Sequence, residues 1–127
     1  MQRVEIAGEA EGRTIRLIDE QAGSDATIAV GYGFNAFSFR AKTAGKLHDF
    51  LWAGDGFPSP GHKASHHGTP ILAPFPNRIR GGRFTYDGRQ YTLPTNEHGV
   101  NAIHGLAIDQ PWRTTELAAS EIGRAHV

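Results

Sequence analysis

The sequence predicts an all-β fold, an antiparallel sandwich or barrel of short strands, from three observations. Apolar residues recur with period 2, and no window of 11 residues keeps the i, i+3, i+4, i+7 stripe of a helix. Sixteen glycines and seven prolines are spread over the 127 residues, which sets many turns between short segments. Taken in order, residues 14–18, 27–30 and 37–39 alternate as strands. Residues 47–52 fit either period and are read as a strand. The clearest element spans residues 82–93, where Asp87-Gly88 supplies the positive φ of a two-residue type I′ turn. Partners then sum to 175, so Phe84 faces Tyr91 and Tyr86 faces Arg89, with Phe84, Tyr86, Tyr91 and Leu93 on one face. Residues 54–68 and 95–111 read as long surface loops, the first carrying His62, His66 and His67, the second Asn96, Asn101, His104, Gly105 and Asp109.

Composition removes whole classes of function. Cysteine is absent, which excludes disulfide scaffolds, thiol catalysis and cysteine-ligated zinc. Thirteen basic and 13 acidic side chains cancel, and a pI near 7.1 is not the footprint of a nucleic-acid binder. Apolar runs are a few residues long, too short to span a membrane. Residues 1–6 lack the apolar run of a secretory leader, so the expected compartment is the cytoplasm. The length predicts one domain.

Chemistry concentrates after Pro74-Phe75-Pro76. The prolines remove two amide donors and end any central strand, and Asn77 and Arg78 follow with an amide and a planar five-donor fork. A polar turn with a solvated arginine is the plain reading of that pair. His104 before Gly105 is equally a turn histidine when taken alone.

Taken together and in order, Gly68-Thr-Pro-Ile-Leu-Ala-Pro-Phe-Pro-Asn77-Arg78-Ile79, the hairpin, Asn96 and Asn101-Ala-Ile-His104-Gly105 resemble the aldose 1-epimerase, or galactose mutarotase, family. Gly33-Phe-Asn-Ala-Phe-Ser-Phe39 and Leu51-Trp52 are similar to its N-terminal strands. The resemblance runs from about residue 14 to residue 112. It implies an antiparallel β-sandwich of the galactose mutarotase-like (supersandwich) type, present only in part, that opens and closes a hexose ring at C1. Asn77, Arg78 and His104 then match substrate-positioning residues, with Asn101 supporting their loop. A small-molecule sugar is the implied partner, with no nucleic acid, no membrane, no metal and no organic cofactor.

The family's acid is a second histidine and its base a glutamate, both in the later half of the domain, where a sugar-contacting aspartate also lies. His126, Glu116 and Glu121 do not fall at matching positions. The resemblance thus implies the sugar-positioning half of a site, with the acid and base beyond residue 127 and this chain inactive alone. Residues 121–127, back-translated, resemble a common sequencing-adapter read. The expected boundaries are therefore 1–120 for the N-terminal part of the epimerase domain and 121–127 for a non-native tail.

Three other readings compete. His48, His62, His66 and His67 invite a metal, but Pro60, Gly61 and Gly68 oppose a helix that would bring His62 and His66 together, and adjacent histidines point apart on extended chain. Arg78, Arg80, Arg83 and Arg89 suit an epimerase for a phosphorylated hexose, although the Pro-Phe-Pro-Asn-Arg-Ile stretch fits the unphosphorylated branch better. A catalytically inactive carbohydrate-binding fragment is the third.

Overall fold

Five strands follow one another as an antiparallel meander in the order β1 (Gln2–Ala7), β2 (Thr14–Asp19), β3 (Ser24–Ala29), β4 (Asn35–Thr43) and β5 (Lys46–Asp49). The computed structural model describes residues 1–59 and 61–118, with the backbone of Ala125–His126. Two compact units emerge, Met1–Ile71 with Ile108–Val127, and Leu72–Ala107. Each is all-β and antiparallel, as the sequence predicts. Among the described residues no helix is long and apolar enough to cross a membrane.

In the first unit, the register sets Val4, Leu17, Ala26 and Phe39 in one cross-strand row, and Arg3, Ile18, Asp25, Arg40 and Asp49 in the next. Side chains alternate faces, so the first row is apolar and the second largely ionic. Asp25 is nearly buried and accepts from Arg16 at 3.1 Å and from Arg40 at 2.9 and 3.0 Å. Burial opposes its charge, yet the two guanidinium groups hold its carboxyl below the usual aspartate range. The apolar face carries an open cavity of about 240 Å³ lined by Val4, Leu17, Ala26 and Phe39 among others.

Strand β1 escapes the period-2 reading because only Val4 and Ile6 alternate there, and pairing with β2 supplies the rest of its stability. The strand expected over 47–52 runs instead over Lys46–Asp49. Asp49 explains the early stop. Its carboxylate accepts the backbone N–H of Phe39 and of Leu51, each at 3.0 Å, and so turns the chain with an Asx-type bond.

Residues 54–68, expected as a surface loop, are anchored. Phe57 and Ala64 are buried, and so is Asn35 on β4. The Asn35 amide donates to the carbonyls of Ala64 (3.2 Å) and His67 (2.8 Å), and its oxygen accepts the N–H of Thr69 (2.8 Å). One side chain thus replaces the backbone ladder that the loop lacks. His67 lies between Trp52 and Phe57, with ring centroids 5.6 and 4.7 Å away and planes 10° and 18° apart. The remaining strands of this unit, β10 (Arg113–Thr114) and β11 (Ala125–His126), form a two-stranded ladder. Most of the expected tail, residues 121–124 and 127, lies outside the described residues.

The second unit holds the predicted hairpin, β7 (Arg83–Tyr86) and β8 (Arg89–Thr92), with Phe84 opposite Tyr91 and Tyr86 opposite Arg89. Asp87 and Gly88 have φ of 47° and 71°, as a type I′ turn requires. The rings of Phe84 and Tyr91 stack at 5.1 Å. Beside the hairpin in sequence, β6 (Arg78–Ile79) pairs with β9 (Ala102–Ile103), so Arg78 faces Ile103.

Candidate functional site

The β6–β9 ladder brings Asn77 and His104 opposite one another at its end. The His104 N–H donates to the Asn77 carbonyl at 3.0 Å, and the Asn77 N–H donates to Nδ1 of His104 at 3.1 Å. Both residues have left-handed backbone, φ 58° and 62°. Asparagine and histidine are among the non-glycine residues that tolerate that region best. A ring nitrogen that accepts from an amide carries no proton, so the neutral imidazole of His104 bears its proton on Nε2 as a donor. Gly105 follows with φ 72°, and a Cβ there would collide with the Ala73 carbonyl oxygen. The close approach of backbone to backbone explains the glycine after the histidine.

Arg78 is held by its neighbours. Its Nε donates to both Glu97 carboxylate oxygens at 2.7 Å, Nη2 lies 2.5 Å from Oε1, and Nη1 donates to Oδ1 of Asn77 at 3.1 Å. Glu97 is itself fixed: its backbone pairs with that of Asn101, whose amide donates to Oε2 at 3.0 Å. The other end of that amide accepts the Gly81 N–H at 3.1 Å. Hydrogen bonds from Arg78 and then Asn101 hold the Glu97 carboxyl below its ordinary range, and the same pairing raises Arg78. Asn96 binds Ile103 twice through backbone, at 2.7 and 2.9 Å, and so completes the edge of β9.

Asn77, Arg78 and His104 therefore meet in one unit, and Asn101 supports them through Glu97 and Gly81. Sequence reasoning passes over Glu97. The available signal is charge: Glu97 is the one carboxylate between Asp87 and Asp109, and it follows a stretch that carries Arg78, Arg80, Arg83 and Arg89. Of Arg78, Arg80, Arg83 and Arg89, Arg78 is the one with a carboxylate partner among the described residues.

Two histidines of the 54–68 loop, His62 and His67, are engaged with protein. Nδ1 of His67 accepts the Gly54 N–H at 2.9 Å, and Nδ1 of His62 meets the Ser59 hydroxyl at 2.9 Å. Nε2 of His62 donates to the Asp55 carbonyl at 3.1 Å. Desolvation, with His62 and His66 nearby, pushes the His67 imidazole below its usual range. Among the described residues no three His, Asp or Glu side chains gather as a metal would need.

A sequence profile described as "Aldose 1-epimerase" matches residues 14–123. The protein called "Uncharacterized protein YihR" of Escherichia coli (strain K12) is 45% identical over 53 residues, which are 41% of this chain and 17% of that protein. The matched stretch thus spans about a sixth of the length of this relative.

Proposed function

The chain belongs to the aldose 1-epimerase family, and from that premise we propose that it supplies the sugar-positioning part of a mutarotase for a free aldohexose. The reaction interconverts α and β anomers. A base takes the proton of the C1 hydroxyl, an acid delivers one to the ring oxygen, the bond between C1 and that oxygen breaks, and C1 becomes a carbonyl. Rotation about the C1–C2 bond and the reverse transfers close the ring with either configuration.

The observation that carries the reading is the Asn77–His104 lock beside Arg78. It makes Nε2 of His104 a donor and joins Asn77 to the Arg78 guanidinium, and a neutral polyol offers hydroxyls and a ring oxygen that accept from such donors. In this proposal Arg78 and His104 orient the sugar and Asn77 holds both. The acid and base are assigned to a histidine and a glutamate further along a complete polypeptide. Polarimetry on α-D-glucose and α-D-galactose tests it. A complete enzyme is expected to accelerate mutarotation, and absence of acceleration with either sugar would favour a carbohydrate-binding protein without catalysis.

A further inference from the structure

We propose that Glu97 fits this site to an uncharged sugar: it holds one edge of the Arg78 fork and cancels its charge, so that the site refuses a sugar phosphate. The inference rests on the mutarotase reading above and names the substrate class of the same site.

The argument begins with the donors. Arginine has five N–H groups in a fixed plane. Glu97 takes the Nε–H and lies against Nη2 as an ion pair, and Asn77 takes one N–H of Nη1. The donors that remain lie on Nη1 and Nη2, away from the Nε edge. Single donors suit hydroxyl or ring oxygens. A phosphate dianion seeks a bidentate edge together with the full positive charge; Glu97 occupies the Nε–Nη2 edge and its own negative charge cancels what the other donors could offer an anion.

The carboxylate is also built in. The Glu97 side chain is 16% exposed where that of Arg78 is 54% exposed. Asn101 clamps it from behind and is anchored in turn on the Gly81 backbone. A carboxylate so clamped does not swing aside when an anion approaches. Nor is it available as the proton-abstracting base, since Arg78 and Asn101 already stabilise its charged form. Glu97 is therefore a positioning and specificity-determining residue that acts through Arg78.

The test measures mutarotation of D-glucose by the complete enzyme, with inorganic phosphate and glucose 6-phosphate as competitors. Wild type should be insensitive to both at concentrations near the KM for glucose. Glu97→Gln keeps an amide oxygen for Arg78 and removes the charge. Its inhibition constant for phosphate should fall by roughly tenfold, the scale of coupling between charged neighbours. In Arg78→Ala/Glu97→Gln that gain should vanish. A gain that survives without Arg78, or no gain in a folded Glu97→Gln, would overturn the inference alone. Wild type already inhibited by phosphate as strongly as glucose binds would overturn it without any variant. Wild type inactive on free aldohexoses would remove the mutarotase reading and this inference with it.

Discussion

Asn77 and His104 hold each other through two backbone-anchored hydrogen bonds, 3.0 and 3.1 Å long, while both sit in left-handed conformation. Strained backbone persists only where surrounding contacts over-determine it. Here the contact is Gly105, whose missing Cβ lets the Ala73 carbonyl accept from Leu106 at 2.7 Å. Gly105→Ala is expected to destabilise the protein by about 2 kcal/mol or more, from the left-handed penalty plus the backbone clash. Chemical denaturation of variant and wild type measures it, and equal midpoints would refute the close-approach argument.

His104→Ala and Arg78→Ala in a complete enzyme should each lower the mutarotation rate by roughly a hundredfold or more while leaving the fold intact. Loss of one well-placed donor to developing charge costs about 3 kcal/mol. Arg78→Lys should recover little, because a point ammonium cannot keep both the Glu97 edge and a donor toward the sugar. Near wild-type rates in both alanine variants would take these residues out of the site.

The legible parts of this chain are those where local chemistry and pattern coincide. Asp87-Gly88 fixes both the turn and the Phe84–Tyr91 register, because a type I′ turn leaves no choice of partner. Asn77, Arg78 and His104 could be named from their order along the chain. Their mutual geometry could not, because it comes from a two-residue ladder too short to show any periodicity. The pairing of Glu97 with Arg78 leaves no local trace for a similar reason: the two lie 19 residues apart. Asn35 shows the same limit in the first unit, since a single buried amide that ties down a loop 29 to 34 residues further on leaves no local trace.

Asn35→Ala should destabilise the first unit by about 3 kcal/mol. It strands the His67 carbonyl, and it leaves the Thr69 N–H with the Ala36 carbonyl and the Ala64 carbonyl with the His67 N–H as their remaining partners. Thermal melting would record the loss, and hydrogen exchange should show it at residues 64–69 first. A Tm within a degree of wild type would mean that water replaces the amide.

Stability should decline as pH falls below 6.5, in part through His67. Its imidazole is held below that ordinary value by burial and by the neighbouring histidines. Between the folded value and 6.5 the unfolded chain binds more protons than the folded one, so stability rises with pH there. The contribution is complete above 6.5 and is lost as pH falls through the folded value. His67→Phe keeps the stack between Trp52 and Phe57 but cannot titrate, so its Tm should vary less with pH than that of wild type between pH 5 and about 6.5. Parallel curves for the two proteins would assign the pH dependence elsewhere.

The 127-residue chain alone is expected not to accelerate mutarotation. Ring opening needs a group that takes a proton as well as groups that donate hydrogen bonds, and the candidate site offers donors. Its two possible acceptors of a proton are both committed. Nδ1 of His104 receives the Asn77 N–H, and the Glu97 carboxylate receives Arg78 and Asn101. Freeing either would break a bond that holds the site together. General acid–base assistance is worth about 10² to 10⁴ in rate, so binding by Arg78 and His104 without it should leave the chain near the uncatalysed rate. Sugar binding need not be lost with it, because the donors remain. Polarimetry and a binding titration on the isolated chain separate these outcomes. Measurable turnover that disappears in Glu97→Gln would show that the ion pair opens during catalysis and that Glu97 is itself the base. Turnover that survives that change would place the base among residues outside the Arg78–Glu97–Asn101 cluster.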